Sequence, residues 1–238
     1  MTRTSGRIAR DVFLRRLGVE RSYRPRALFK NPDWNFAPLL SLVVASYLRV
    51  RPDFTFLQVG AFDGIVEDPI HPLVEQFGLR GLVVEPQASV LPTLQASYAA
   101  YPQVRIVNGA VADANGTRDF YTTVGAPSRK ASFFKPQLLK HGIPENQIQS
   151  VPVRCATVAS LQQEYGLARC DLLQIDAEGY DYQIIQSIDF RTVQPSIVRF
   201  EQVHLTNDAC DHCVELLASH GFRFITERRD IIALRDPV

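Results

Sequence analysis

A chain of 238 residues, 46% apolar and 21% charged, has the composition of a soluble globular protein and can form one substantial domain with an appendage. Its formal charge of +1 is unevenly spread: residues 1–52 hold eleven Arg and Lys against three acids, +8, and the rest holds 15 against 22, −7. Four cysteines in a chain this long exclude a disulfide framework, and the longest apolar stretch, Leu39 to Leu48, is broken by Ser41 and Ser46 and too short to span a bilayer. No signal-peptide pattern opens the sequence, so a reducing, cytoplasmic location is expected.

The first element is a basic amphipathic helix carrying Ile8, Val12, Phe13, Leu14 and Leu17 among arginines. Pro25, Pro32 and Pro38 interrupt the next stretch, and Pro38 to Leu48 reads as a second helix with proline near its first turn. Residues 1–52 are therefore expected to form a helical arm and 53–238 the main domain. The arm suits docking with solvated arginines, a membrane surface, a transit signal or a lid, and a homo-oligomer formed through it is one expectation. Aromatic and basic residues are not interleaved in a way that points to nucleic acid.

Phe54 to Val59 is a buried strand ending at Gly60, with Gly64 close behind and a helix-compatible segment from Glu67 to Phe77. Strand, glycine turn and helix bring backbone close to a nucleoside-type ligand at the carboxyl edge of a sheet. A dinucleotide fingerprint wants glycine at positions one, three and six, where this chain has Gly60, Phe62 and Ile65. The spacing of Gln58, Gly60, Phe62 and Gly64 instead resembles the first motif of S-adenosylmethionine-dependent methyltransferases, with Gln58 replacing an acid and Phe62 a small residue.

A second strand, Gly81 to Glu85, ends in a carboxylate before Pro86, and Glu85 falls where an acid grips a ribose through both hydroxyls. A helix with Val90, Leu91, Leu94 and Tyr98 leads to a third strand, Val104 to Val107. Asn108 or the backbone near Ala110 would read an adenine there, with small Ala110 and Ala112 leaving room; Asn108-Gly109 is equally a turn signal. Asp119 to Val124 and Ile148 to Val153 read as β segments that pair, separated by a loop with helical pieces. Such an insert is a candidate for holding substrate.

Cys170 to Ile175 is the fourth strand, followed by Asp176, Glu178 and a helix from Tyr182 to Ile188. Ile197 to Phe200 is the fifth, followed by Glu201 and His204. The alternation implies a parallel, doubly wound α/β sheet, with Asp176, Glu178 and Glu201 meeting Gly60 and Glu85 at one edge. A helix over Ala209 to Ser219 and a hairpin of Phe222 to Thr226 with Ile231 to Leu234 close the chain. Cys210 and Cys213 with His212 resemble a metal or redox motif, but one pair on a helix face is read as packing.

At LLQIDAEGYDYQII, Leu172 to Ile185, the chain resembles the FkbM family of S-adenosylmethionine-dependent methyltransferases. QVGAFDG, Asp68-Pro69, GLVVEP, Asn108 to Val111 and VRFEQVHL support the resemblance in order and spacing over roughly 54 to 235; the family usually has Asn where Phe62 stands. The resemblance implies a class I, Rossmann-like fold: a doubly wound, mostly parallel seven-stranded sheet with a terminal antiparallel hairpin. It implies methyl transfer from S-adenosyl-L-methionine, most often to a hydroxyl of a sugar or secondary metabolite, so the partner is a small-molecule or glycan acceptor. Gly60, Ala61, Asp63 and Gly64 would form the cofactor loop, with Glu85 and Pro86 at the ribose, Asn108 and Ala110 at adenine, and Asp176 near the methionine end. Asp176, Glu178, Glu201 and His204 are the catalytic candidates, His204 as general base. A divalent cation on Asp176, Glu201 and His204 ranks below that base, and no metal ligands are assigned. A nicotinamide-dependent oxidoreductase and a non-catalytic recruitment module are the competing readings.

Overall fold

Burial along β1 (Thr55–Val59) sets the architecture: four of its five side chains are shielded from solvent, which requires packed layers on both faces of the sheet. The computed structural model describes residues 39–227 and 229–236. β1 pairs in parallel with β2 (Arg80–Glu85) and with the later β7 (Leu172–Ile175), and β3 (Val104–Asn108) extends the β2 side. β8 (Ile197–Glu201) runs parallel to β7, and the hairpin of β9 (Arg223–Glu227) and β10 (Asp230–Leu234) closes the sheet by antiparallel pairing of β10 with β8. The resulting order, β3-β2-β1-β7-β8-β10-β9, reverses direction between β1 and β7. A doubly wound sheet opens its ligand crevice at that switch point.

Alternating side chains feed two cores. Phe56, Leu172 and Ile197 face one side, where α1 (Leu39–Leu48), α2 (His71–Phe77) and α3 (Leu91–Ser97) pack. Leu57, Leu173 and Val198 face the other, beneath α5 (Val158–Glu164), α6 (Asp181–Gln186) and α7 (Asn207–Ser219). Phe56 is fully buried, so its truncation to alanine would cost about 3–5 kcal/mol. Cys213 lies fully buried in the α7 core, and Cys155, Cys170, Cys210 and Cys213 are all free thiols.

α1 buries Leu40, Val43 and Val44 at helical spacing, and Tyr47 Oη donates to the Arg235 carbonyl at 2.6 Å. It belongs to the compact unit that begins at Leu39. The basic helix expected over Ile8 to Leu17 lies outside the described residues.

The insert builds a second, three-stranded sheet: β4 (Ala110–Val111), β6 (Ile148–Ala156) and β5 (Gly116–Thr123), in the order β4-β6-β5. β5 and β6 pair antiparallel, as expected; β6 also extends to Ala156 and meets β4 in parallel. The short α4 (Lys135–Lys140) and the loop before it lie between β5 and β6 in the chain. Among the described residues, no helix is long and apolar enough to cross a membrane.

Candidate active site

The carboxyl ends of β1, β2 and β7 enclose a cleft of about 300 Å³. Gly60, Ala61, Glu85 and Pro86 line it from the first two strand ends, Ala110 from β4, and Asp176, Glu178 and Glu201 from the ends of β7 and β8. Residues as distant in the chain as Gly60 and Glu201 thus meet at one edge.

Gly60 has φ +76°, and a Cβ there would lie 2.0 Å from the Asp176 carbonyl oxygen. Its missing side chain lets β1 and β7 close on one another, sealed by a 3.0 Å hydrogen bond from Asp176 N to the Val59 carbonyl. Gly64 serves α3 instead: a Cβ would meet Ser97, Leu94 and Tyr98 within 3 Å, and the residue does not line the cleft. Between them Phe62 adopts a left-handed φ of +49°, unusual for a bulky residue, and Asn is the side chain that tolerates that region. The Arg129 guanidinium lies 4.4 Å from the centre of the Phe62 ring.

Asp63 shapes this loop from outside the cleft. Its Oδ1 accepts from the backbone of Ile65 and Val66, and Oδ2 pairs with Arg129 Nη2 at 2.7 Å. Burial raises the Asp63 carboxyl, but those bonds outweigh it and hold the group below its ordinary value.

Glu85 is 3% exposed; Oε2 accepts from Phe62 N at 2.9 Å and Oε1 from Gln87 N at 2.8 Å. Burial pushes its pKa above the usual carboxylate range. Oε1 also accepts from Gln87 Nε2 at 3.3 Å, whereas Oε2, with one bond, retains an acceptor site. Asn108 is placed differently: its amide donates to the carbonyls of Glu85 and Pro86, and the side chain borders a second cavity of about 370 Å³. The neighbouring Gly109, Ala110 and Val111 face the first cleft.

Gln58 stands where an acid is usual, and the fold brings one to it. Asp68 Oδ2 accepts from Gln58 Nε2 at 2.9 Å, while Oδ1 accepts from the Ile70 and His71 amides that open α2. Gln58 and Asp68 both line the cleft, and Gln58 Oε1 is buried there with no hydrogen-bond partner. In the sequence Asp68-Pro69 suits a helix start and supports the family resemblance, but an acid ahead of a proline gives no sign of which strand it will face.

The four catalytic candidates form one cluster with two layers. Asp176 is open to the cleft yet ringed by protein elsewhere; desolvation, then the charges of Glu201 and Glu178, lift its carboxyl to about 7. Glu178 Oε1 pairs with Lys130 Nζ at 2.8 Å and Glu201 Oε1 with Arg229 Nη2 at 2.9 Å. Burial raises the Glu201 carboxyl, whereas in Glu178 the contacts of His204 and Lys130 overcome burial and lower it. His204 sits behind these acids, its side chain 7% exposed and absent from the cleft wall, with Nε2 3.1 Å from Glu178 Oε2 and 3.3 Å from Glu201 Oε2. Beneath them Asp181, fully buried, accepts from the amides of Ala177 and Glu201; burial and the charges of Asp176 and Glu201 raise it well above an ordinary Asp. Arg129 and Lys130, to which the sequence pattern of the insert assigns no role, complete the wall.

The family model for the methyltransferase FkbM domain matches residues 58–224, more than half of the chain. The chain belongs to the FkbM methyltransferase family. The match agrees with the resemblance in its motifs, which implies S-adenosyl-L-methionine as methyl donor. No match was found among curated proteins. Similar solved structures include an FkbM methyltransferase from Methylobacillus flagellatus KT, 11% identical with a TM-score of 0.49. That alignment covers 77% of this chain and 44% of the other, so this FkbM chain spans less than half the length of that structure. A precorrin-6y C5,15-methyltransferase from Geobacter metallireducens GS-15 is 16% identical over 86% of this chain and 95% of its own, with a TM-score of 0.42. Aeropyrum pernix fibrillarin, solved with natively bound S-adenosyl-L-methionine, is 10% identical over 76% and 66%, with a TM-score of 0.42.

The cleft residues fit this donor. Buried Glu85 offers lone pairs at the β2 end, and the orphaned oxygen of Gln58 offers an acceptor beside the Asp68 carboxylate.

Proposed function

We propose that this protein methylates an oxygen nucleophile, a hydroxyl on a sugar or secondary metabolite, within the cleft at the β1–β7 switch point. When bound, S-adenosyl-L-methionine supplies an electrophilic methyl group. Glu85 would hold the ribose hydroxyls, Gly109 to Val111 the adenine side, and Gln58 with Asp68 the amino-acid end. Asp176 is the observation that carries the reading: it is the solvent-accessible carboxylate at the β7 end, beside Gly60, and its neighbours Glu178 and Glu201 are occupied by Lys130 and Arg229. It would orient the acceptor hydroxyl and take its proton as the oxygen–methyl bond forms and the sulfur–methyl bond breaks. Charged and polar groups from the insert, Arg129 and Lys130 among them, give a hydroxyl-rich acceptor several hydrogen-bonding partners.

The test is incubation with donor carrying a 13C methyl group and a panel of hydroxylated acceptors, following S-adenosylhomocysteine release and the carbon shift of the product. An O-methyl signal that Asp176→Asn reduces about a hundredfold or more, with donor binding retained, is expected. A methyl signal on nitrogen or carbon alone would refute oxygen transfer. Tight S-adenosylhomocysteine binding with no transfer to any acceptor would favour the recruitment module.

A further inference from the structure

We propose that Glu178, Glu201 and His204 form a divalent-cation site at the acceptor end of this cleft. Each carboxylate spends Oε1 on an outer cation, Lys130 for Glu178 and Arg229 for Glu201, and turns Oε2 inward toward the His204 ring. Glu178 Oε2, Glu201 Oε2 and His204 Nε2 are all buried, and none makes a directed hydrogen bond. His204 Nε2 nevertheless lies 3.1 and 3.3 Å from the two oxygens. Three lone-pair atoms converging in a buried space repel one another unless a positive charge sits among them.

The spacing suits a metal ion. Cation–ligand bonds of roughly 2.0–2.2 Å put adjacent ligand atoms about 2.8–3.6 Å apart in octahedral or tetrahedral geometry. Both His204 contacts fall inside that interval, and Glu178 and Glu201 have carboxylate oxygens within 4.8 Å of one another. Two further donors stand close: Asp176 has a carboxylate oxygen within 4.8 Å of those of Glu178 and Glu201, and His141 has a ring nitrogen within 4.8 Å of Glu178 and His204. Two carboxylates and one imidazole make an oxygen-rich set that favours Mn2+ or Mg2+ over a thiolate-type zinc site. Glu178 and Glu201 also line the cleft, so open coordination positions would face the acceptor. The cation would then hold the acceptor oxygen and make its hydroxyl more acidic, leaving Asp176 to receive the proton. That use rests on the methyl-transfer reading; the site itself does not.

The experiment uses the full chain, stripped with chelator and titrated with Mn2+ by electron paramagnetic resonance. Binding of one Mn2+ per chain is expected, with a nitrogen coupling from a directly bound imidazole in the pulsed spectrum. His204→Gln should remove that coupling, and His204→Gln and Glu201→Gln should each weaken binding tenfold or more. No Mn2+ binding, or binding without nitrogen coupling, overturns the proposal. Because His141 also stands close, His141→Gln must leave the coupling in place; its loss in that variant overturns the assignment to His204 even if His204→Gln fails to fold. S-adenosylhomocysteine titrated into the same samples separates the two readings: its binding without Mn2+ sinks the cation site alone, and Mn2+ binding without it sinks the donor site alone.

Discussion

Gly60 separates two explanations of the glycine turn, because a side chain at this position can be costly for the ligand or for the fold. A Cβ at Gly60 would lie 2.0 Å from the Asp176 carbonyl oxygen, whereas ordinary contact begins at 3.4 Å. Relief requires β1 and β7 to part by more than an ångström just past the Val59 carbonyl, which accepts the Asp176 amide at 3.0 Å. Gly60→Ala should therefore lose that bond, about 0.5–1.5 kcal/mol, and place alanine at φ +76°, about 1–2 kcal/mol more. Residual clash adds to both, so a loss of roughly 2–3 kcal/mol or more is expected without any ligand. Urea unfolding of the free protein measures it, with the slope checked for two-state behaviour. If free stability is unchanged and only S-adenosylhomocysteine affinity falls, the glycine serves ligand approach and the strand-closure argument is refuted.

Glu85→Gln should weaken S-adenosylhomocysteine binding by about 1.5–3 kcal/mol, tenfold or more by calorimetry, since an amide cannot accept from Phe62 N, Gln87 N and two ribose hydroxyls together. Because burial raises the Glu85 carboxyl, wild-type affinity should decline on acidification at a pH above the ordinary Glu value of about 4.3, as the acceptor form is lost, and the variant should not share that component. Phe62→Asn exchanges a strained left-handed Phe for a residue that tolerates φ +49° but gives up the Arg129 contact, about 0.5–1 kcal/mol. Thermal unfolding should move by less than about 1 kcal/mol equivalent with donor affinity kept; a large affinity loss would make the ring a ligand contact.

Each central strand was legible because it is an apolar run stopped by a glycine or an acid, and burial on both faces demands that pattern. The second sheet was only half legible. β5 and β6 announce themselves by alternation, but β4 is two residues long, and its parallel pairing with Cys155 and Ala156 depends on contacts that no local pattern encodes. α5 went unread because it is short and buries only Val158 and Leu161, although Thr157, whose side chain accepts from Ser160 N, is a readable cap. At the site, acids at strand ends could be placed on one edge because strand direction alone puts them there. The partners of those acids could not: Asp68 reaches Gln58 through a turn, and Arg129 and Lys130 reach Asp63 and Glu178 from the insert.

That division follows from how the cleft is built. On the proposed reading its donor half consists of backbone and strand-end groups of the sheet, Gly60, Glu85 and Gly109 to Val111, whose positions the fold dictates. The half proposed for the acceptor depends on ion pairs of the sheet edge with the insert and the hairpin turn, Lys130 on Glu178 and Arg229 of the β9–β10 turn on Glu201. A change of acceptor therefore needs only a change in the insert or hairpin turn, while the strand ends keep the donor in place. Exchanging residues 125–134 for another sequence should then alter which hydroxyl is methylated with S-adenosylhomocysteine affinity largely kept, apart from what Arg129 contributes by pairing with Asp63 and covering Phe62.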